Sequence, residues 1–329
     1  MASPRFRDLK MQIETAVGAQ SYDCSASRGA DIAASRNLNQ ASFIKRVLLS
    51  ARLKQIRWSA RLVSLLSRSH TMAVLIRIVG SSVVGRALFD WVAAYRRIFP
   101  SLAEGSAVAS RFIPADHSCV DCIQLHMTVY KKAQPSDYPV LFHLSRLVVE
   151  PVTILDVGGS AGSLYYCYSN YVDLSHAECW TVLEVPFVAE FGRQLALERN
   201  ECRLRFTATL EAVGRCDILL ASGSLHYFES PLPDLIRELP HKPKHVIVNR
   251  TPLSDLPSVV TVQDAGKFLV ACRVHHRKEL ICGMEALSYE LVDSLRVPGH
   301  SIQIPFYPEY SVPEYSGLYF RLKSTTESS

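Results

Sequence analysis

The sequence has no uninterrupted apolar run of the length that a membrane span requires. Its most apolar stretch, residues 71–89, contains Arg77 and Arg86, and an arginine at the centre of a bilayer costs at least about 2.5 kcal/mol. Residues 1–7 are polar with no apolar signal segment behind them, and the nine cysteines follow no disulfide-framework spacing. We therefore expect a cytoplasmic protein with reduced thiols.

Motifs for binding metals and nucleic acids are also scarce. The one Cys-x-x-Cys pair, Cys119 and Cys122, lies beside His117 and His126. Structural zinc sites usually draw a second ligand pair from a separate part of the chain, so we predict no metal site. No zinc finger, homeodomain or aromatic RNA-binding motif is present, so nucleic acid is not a predicted partner.

Acidic residues are nearly absent from one segment, residues 43–97, which contains eleven Lys and Arg residues and a single acid, Asp90. Within residues 43–68 apolar side chains recur every three or four positions, and Arg57 and Arg61 fall on a neighbouring face. This spacing predicts a basic amphipathic helix. Such a helix packs on a neighbouring domain or associates peripherally with an anionic membrane, here the inner face, and the sequence leaves both open.

Composition divides the 329 residues into four parts. We predict a disordered segment over residues 1–42, a basic helical N-terminal region over 43–150, a main α/β domain over 151–323 and a tail over 324–329. With 48% hydrophobic and 20% charged residues, the chain can bury a sizeable core.

The most informative stretch reads as a strand, a tight turn and a helix. An apolar run ends at Asp156 and passes through Gly158, Gly159, Ser160 and Gly162. Glycine lets the backbone approach a ligand closely, and the N–H groups at a helix start point towards its polar end. The dinucleotide pattern Gly-x-Gly-x-x-Gly does not fit, because serines occupy its second and third glycine positions. A plain strand-to-helix connection is the alternative.

A second apolar run, residues 180–183, also ends in an acid, Glu184. A carboxylate at this strand end can accept hydrogen bonds from the two adjacent hydroxyls of a ribose. The alternative is an ordinary solvated strand end.

Together these residues resemble the class I S-adenosylmethionine-dependent methyltransferases, with Ser160 in place of the middle glycine of the acidic-x-Gly-x-Gly-x-Gly motif. The resemblance implies an α/β fold with a seven-stranded Rossmann-like sheet, mostly parallel with an antiparallel C-terminal strand. In this sequence the basic helical extension precedes that sheet. It also implies S-adenosyl-L-methionine as the cofactor. The implied cofactor-binding residues are Asp156, Gly158, Gly159, Ser160, Gly162, Glu184 and Ser222.

Periodicity beyond Glu184 fits such a sheet. The further predicted strands are residues 203–207, 216–222, 245–249, 289–295 and 315–321, with the last two as a closing hairpin. Two extra strands, near residues 259–262 and 268–274, stand where methyltransferases often place substrate-binding elements.

Several short motifs resemble a narrower group, the methyltransferases associated with bacterial polysaccharide biosynthesis. They are residues 155–159, 221–225, 249–253, 261–263, 289–293 and 315–321. This resemblance covers roughly residues 98–323 and implies a carbohydrate acceptor.

Candidate catalytic residues follow the predicted strand 216–222, at the sheet edge where α/β proteins bind ligands. His226 is the candidate base because its unperturbed pKa lies near neutrality. A histidine that merely packs in that loop is the alternative. Tyr227, Arg250 and Gln263 are candidates for orienting the acceptor.

Two functions are compatible with the sequence. The first is a methyltransferase acting on a sugar or another small polar acceptor, held near the membrane by its cationic helices. The second is a catalytically silent module with a cofactor-binding fold, which serves as a membrane or protein adaptor through its basic N-terminal helices. The sequence does not fix the oligomeric state.

Overall fold

The structure is a computed structural model that describes residues 69–82, 93–110, 120–265, 269–304 and 306–323. These residues all belong to one compact unit, Arg52–Ser329. The predicted amphipathic helix within residues 43–68, the segment 1–42 and the tail 324–329 lie outside the described residues. In the described part of the chain, no helix combines the length and the apolar character needed to cross a bilayer.

Helices occur both before and within the predicted main domain. They are α1 His70–Ser81, α2 Leu102–Ala109, α3 Val120–Val129, α4 Tyr138–Leu147, α5 Ser163–Tyr168, α6 Pro186–Glu198, α7 Leu232–Glu238 and α8 Arg277–Glu285. Proline stands in the first turn of α4, α6 and α7, where its missing N–H costs little.

Seven strands form the central sheet. They are β2 Val152–Val157, β3 Ala177–Leu183, β4 Leu204–Thr207, β5 Ile218–Ser222, β6 His245–Thr251, β10 Tyr289–Val297 and β11 Tyr315–Leu322. Their order is β10-β11-β6-β5-β2-β3-β4. Strand β11 is antiparallel to both of its neighbours, and the pairs from β6 to β4 are parallel. The predicted α/β class and the seven-stranded sheet with its antiparallel C-terminal strand are confirmed.

The middle strands are apolar on both faces because helices cover both sides of the sheet. Ile154 and Leu220 face one core cluster, which contains Trp180. Leu155 and Leu219, their immediate neighbours along the strands, face the other cluster. Strands β2 and β5 pair in parallel, with Ile154 opposite Ile218 and Asp156 opposite Leu220, so the turns that follow these two strands lie side by side.

A second sheet lies outside the central one. Its strands are β1 Tyr95–Phe99, β7 Leu253–Ser254, β8 Val259–Asp264 and β9 Leu269–His276, in the order β1-β8-β9-β7. Strands β8 and β9 correspond to the two extra strands that the sequence predicted. Strand β1 corrects the expectation that residues 43–150 are helical, and it pairs with β8 across the predicted domain boundary at residue 150. The pairing was hidden because the two strands are more than 150 positions apart in the sequence.

Candidate functional site

The turn after β2 has a backbone that favours glycine at three positions. Gly158, Ser160 and Gly162 all adopt left-handed conformations, with φ of +71°, +55° and +80°. Ser160 therefore takes up the backbone conformation that suits a glycine, at the motif position where a glycine was expected. We call residues 158–162 the glycine turn.

Glu184 is bonded directly to the glycine turn. The N–H of Ser160 donates to Glu184 Oε1 at 3.0 Å, and the N–H of Val185 donates to Oε2 at 3.0 Å. Burial raises the pKa of the Glu184 carboxyl, and these two hydrogen bonds oppose the rise. Because each carboxylate oxygen has a second lone pair, Glu184 can still accept hydrogen bonds from a ligand.

Asp156 lies beneath the turn and is fully buried. Trp180 Nε1 donates to Asp156 Oδ2 at 3.3 Å, and a Cβ atom on Gly159 would overlap the same carboxylate. Burial raises the pKa of Asp156 to about 7. Asp156 thus supports the turn from inside the protein, and its Oδ1 is a buried atom with no hydrogen-bond partner.

Ser222 and Arg250 are joined under the ends of β5 and β6. Arg250 Nη2 donates to Ser222 Oγ at 2.8 Å, and Nη1 forms an ion pair with Asp137 at 3.2 Å. Arg250 is only 3% exposed. It was predicted to orient the acceptor. Because the side chain is buried, the guanidinium could contact only a ligand that is itself enclosed beneath the ends of these strands.

Three residues near the site were not predicted to belong to it. Asp137, fully buried, accepts hydrogen bonds from the hydroxyl of Tyr168 and the N–H of Gln134 as well as pairing with Arg250. The ring of Tyr130 lies 4.8 Å from the Arg250 guanidinium carbon. His126, considered in the sequence only as a metal ligand, has its Nδ1 3.2 Å from Ser160 Oγ.

These residues escaped prediction because their contacts are made across the fold. Helix α3 brings His126 onto the glycine turn, and the short 3₁₀ helix Pro135–Asp137 brings Asp137 under β6. The capping box between Gln134 and Asp137 is a local signal that indicates a helix start, and it gives no indication of a buried ion pair.

The structure brings Tyr227 and Gln263 together. The hydroxyl of Tyr227 donates to Gln263 Oε1 at 2.7 Å. Burial raises the pKa of Tyr227 well above its usual value, so the hydroxyl keeps its proton. Tyr227 is thus suited to donating a hydrogen bond and unsuited to acting as a base.

His226 lies beside Tyr227 in the 3₁₀ helix Leu225–Tyr227 and is 4% exposed. Its ring centroid is 4.1 Å from that of Tyr227 and 6.0 Å from that of Tyr315. Tyr315 in turn shares a buried hydrogen bond of 3.0 Å with the hydroxyl of Tyr95, on β1. The sequence had singled out neither Tyr95 nor the side chain of Tyr315.

No group of three or more His, Cys, Asp and Glu side chains suited to a metal ion occurs among the described residues. His117 and Cys119 of the Cys-x-x-Cys segment lie outside them.

Comparison with known proteins gives fold likeness only. No family model matches the chain, and no curated protein matches it. The 1,6-didemethyltoxoflavin-N1-methyltransferase of Burkholderia thailandensis, solved with S-adenosylhomocysteine, is 21% identical with a TM-score of 0.42, over 68% of this chain and 92% of that one. The magnesium protoporphyrin IX methyltransferase of Synechocystis PCC 6803, solved with S-adenosylmethionine, is 13% identical with a TM-score of 0.36, over 66% and 91%.

A third structure, the CcbJ methyltransferase of Streptomyces caelestis, is 13% identical with a TM-score of 0.39, over 58% of this chain and 92% of that one. These three similar structures are methyltransferases.

Proposed function

We propose that this protein is an S-adenosylmethionine-dependent methyltransferase that acts on a small polar acceptor, with sugars and polysaccharide precursors as the first class to test. The observation that carries the proposal is the hydrogen bond from the Ser160 N–H to Glu184. It joins the glycine turn after β2 to the carboxylate at the end of β3. A ribose-binding acid and a glycine-rich turn whose backbone a ligand can approach closely are the two parts that an adenosine-bearing ligand requires.

The residues around the turn fit this cofactor. Unpaired polar atoms are rare in protein interiors and call for a missing partner. Four buried atoms near the ends of β2 and β6 have no hydrogen-bond partner: Ser136 Oγ, Asp156 Oδ1, Asn249 Oδ1 and Arg250 Nε. The carboxyl group of Asp156 can accept a hydrogen bond from the amino group at the amino-acid end of S-adenosylmethionine, and the guanidinium of Arg250 can donate to its carboxylate.

Glu184 would hold the ribose, and the backbone of the glycine turn would lie against the cofactor. When bound, the cofactor supplies an electrophilic methyl group on a sulfonium. The protein must align the acceptor with that group and remove a proton when the acceptor is a hydroxyl. Gln263, fixed by Tyr227, would orient the acceptor, and His226 would take its proton.

Transfer of a radiolabelled methyl group from S-adenosylmethionine to a panel of sugars and nucleotide sugars tests the proposal. Because general base catalysis contributes about 10²–10⁴-fold, we expect His226→Gln to lower kcat by at least about a hundredfold. The same change at exposed His176, His176→Gln, should leave kcat unaltered. Binding of cofactor without methyl transfer to any acceptor in the panel would contradict the proposed acceptor class.

One observation favours the adaptor alternative. Val74, Leu75 and Val79 on α1 are 43%, 53% and 43% exposed, and α1 lies within the basic segment 43–97. If the protein is only an adaptor, anionic vesicles should bind it, Arg57→Gln with Arg61→Gln should abolish that binding, and S-adenosylhomocysteine should not bind. Methyl transfer from S-adenosylmethionine to any acceptor would exclude the catalytically silent form of this alternative.

A further inference from the structure

A cleft of about 450 Å³ opens between α7, α8 and the second sheet. This volume falls within the range of small-molecule sites. Its apolar walls include Pro231, Pro233 and Leu280, and Ser258 also lines it. None of its lining residues belongs to the glycine turn, Glu184 or the pair formed by Tyr227 and Gln263. The cleft therefore shares no residue with the proposed cofactor site.

The charged side chains that line the cleft are mostly paired with each other. Arg237 forms an ion pair with Asp234. His276 Nδ1 lies 3.1 Å from Glu279 Oε1, and the Glu279 side chain is 68% exposed. Asp234 pairs with Arg237, and both acids have more than half of their side chain in solvent, where their charges are screened.

Arg273 is the exception among these charged groups. Its Nη1 donates to the backbone oxygen of Glu229 at 3.0 Å, and in the described part of the chain no carboxylate lies within ion-pair distance of its guanidinium. Burial lowers the pKa of Arg273, and the more distant Glu229 carboxylate offsets this only in part. A half-buried guanidinium with unused N–H donors is a binding group for carboxylate and phosphate.

The neighbouring His275 does not supply a second charge. It lines the same cleft and is 5% exposed. Burial and the charge of Arg273 lower its pKa to about 4, so its ring is neutral at pH 7. The positive charge of Arg273 therefore favours a ligand with a negative charge in the cleft.

We propose that the cleft is a second small-molecule site, which binds an anion with a compact apolar body. The carboxylate or phosphate of the ligand pairs with Arg273, and its apolar part packs against Pro231, Pro233 and Leu280.

Three probes of similar size separate the possible head groups. Benzoate, phenyl phosphate and benzyl alcohol share an aromatic body, and they carry a carboxylate, a phosphate and an uncharged hydroxyl. Each probe is titrated into the full-length protein in an isothermal calorimeter. We expect saturable binding of at least one of the two anions, and binding of benzyl alcohol that is at least tenfold weaker. The tighter anion identifies the head group.

Variants locate the site. Arg273→Gln should weaken binding of the anion at least tenfold, whereas Arg296→Gln, at an exposed arginine of β10 paired with Glu314, should leave it unchanged. If Arg273→Gln does not fold, Ser258→Phe provides a second test, since it fills the cleft from an exposed position. Unchanged binding in the folded variant, or no saturable binding of either anion, would overturn the proposal. Cofactor binding is measured separately and does not bear on this result.

Discussion

The glycine turn and the polar contacts beside it are stabilised in different ways. The turn depends on main-chain geometry, with three left-handed residues and a backbone N–H bonded to a carboxylate. The neighbouring contacts depend on side chains that are far apart in the sequence, such as Arg250 with Asp137 and Tyr95 with Tyr315. We therefore expect different substitutions to destabilise the two regions. Added side-chain bulk should destabilise the glycine turn, and loss of a polar atom should destabilise the contacts beside it.

The largest effect should come from breaking the buried ion pair. Arg250→Met keeps much of the side-chain volume but leaves the carboxylate of Asp137 buried without its cation. Removing one partner of such a pair costs about 3–5 kcal/mol of unfolding free energy, which urea denaturation at pH 7 measures. Adding Asp137→Asn should recover part of the loss, because the unpaired charge is removed. A loss below about 1 kcal/mol would show that the pair matters little.

A side chain at the first position of the turn should have the next largest effect. Gly158→Ala forces a non-glycine residue to φ +71° and places its Cβ against Ser224. The strain alone costs roughly 1–2 kcal/mol, and the overlap should raise the loss to about 3 kcal/mol. Gly299→Ala is the matched control, because Gly299 has φ +85° with open space around it. Equal losses in thermal denaturation would show that the turn is not tightly packed.

The tyrosine pair should show a smaller effect. Tyr95→Phe removes one of two buried hydroxyls and leaves the other without its partner, which costs about 1–2 kcal/mol. Tyr315→Phe should cost a similar amount, and the double variant should cost less than the sum of the two. Strict additivity in this double-mutant cycle would mean that the two hydroxyls do not interact.

The smallest effect should be a gain. Ser160→Gly relieves a left-handed serine, which costs roughly 1–2 kcal/mol, but a glycine raises the entropy of the unfolded chain by about 0.4–1 kcal/mol, and the contact with His126 is lost. We expect a small net rise in Tm with S-adenosylhomocysteine binding retained. A clear fall in Tm would show that the contact between the hydroxyl and His126 outweighs the strain at this residue.

The two regions also differ in how far the sequence predicts them. Asp156 and Glu184 could be recognised because each ends an apolar run, and parallel strands bring their ends to one edge of the sheet. The turn could be recognised because glycine is the residue that most readily adopts a left-handed backbone conformation, so its glycines indicate a tight turn.

Asp137 and Tyr95 could not be recognised, because their environments are created by Arg250 and Tyr315, which lie 113 and 220 positions away in the sequence. Strand β1 is a similar case, since a five-residue segment gives too little periodicity to reveal a partner strand in another part of the chain. The burial of Arg250 likewise results from contacts with Asp137 and Tyr130, which are distant in the sequence and cannot be predicted from a local pattern.

Calorimetric titration with S-adenosylhomocysteine tests most directly whether Glu184 and the glycine turn form one binding site. We predict one bound ligand per chain, and binding at least about 30-fold weaker in Glu184→Ala, since the loss of hydrogen bonds to a charged acceptor is worth about 2 kcal/mol. Glu178→Ala, at an exposed position of the same strand β3, should bind like the wild type. Absence of binding by the wild type, or undiminished binding by Glu184→Ala, would contradict the account.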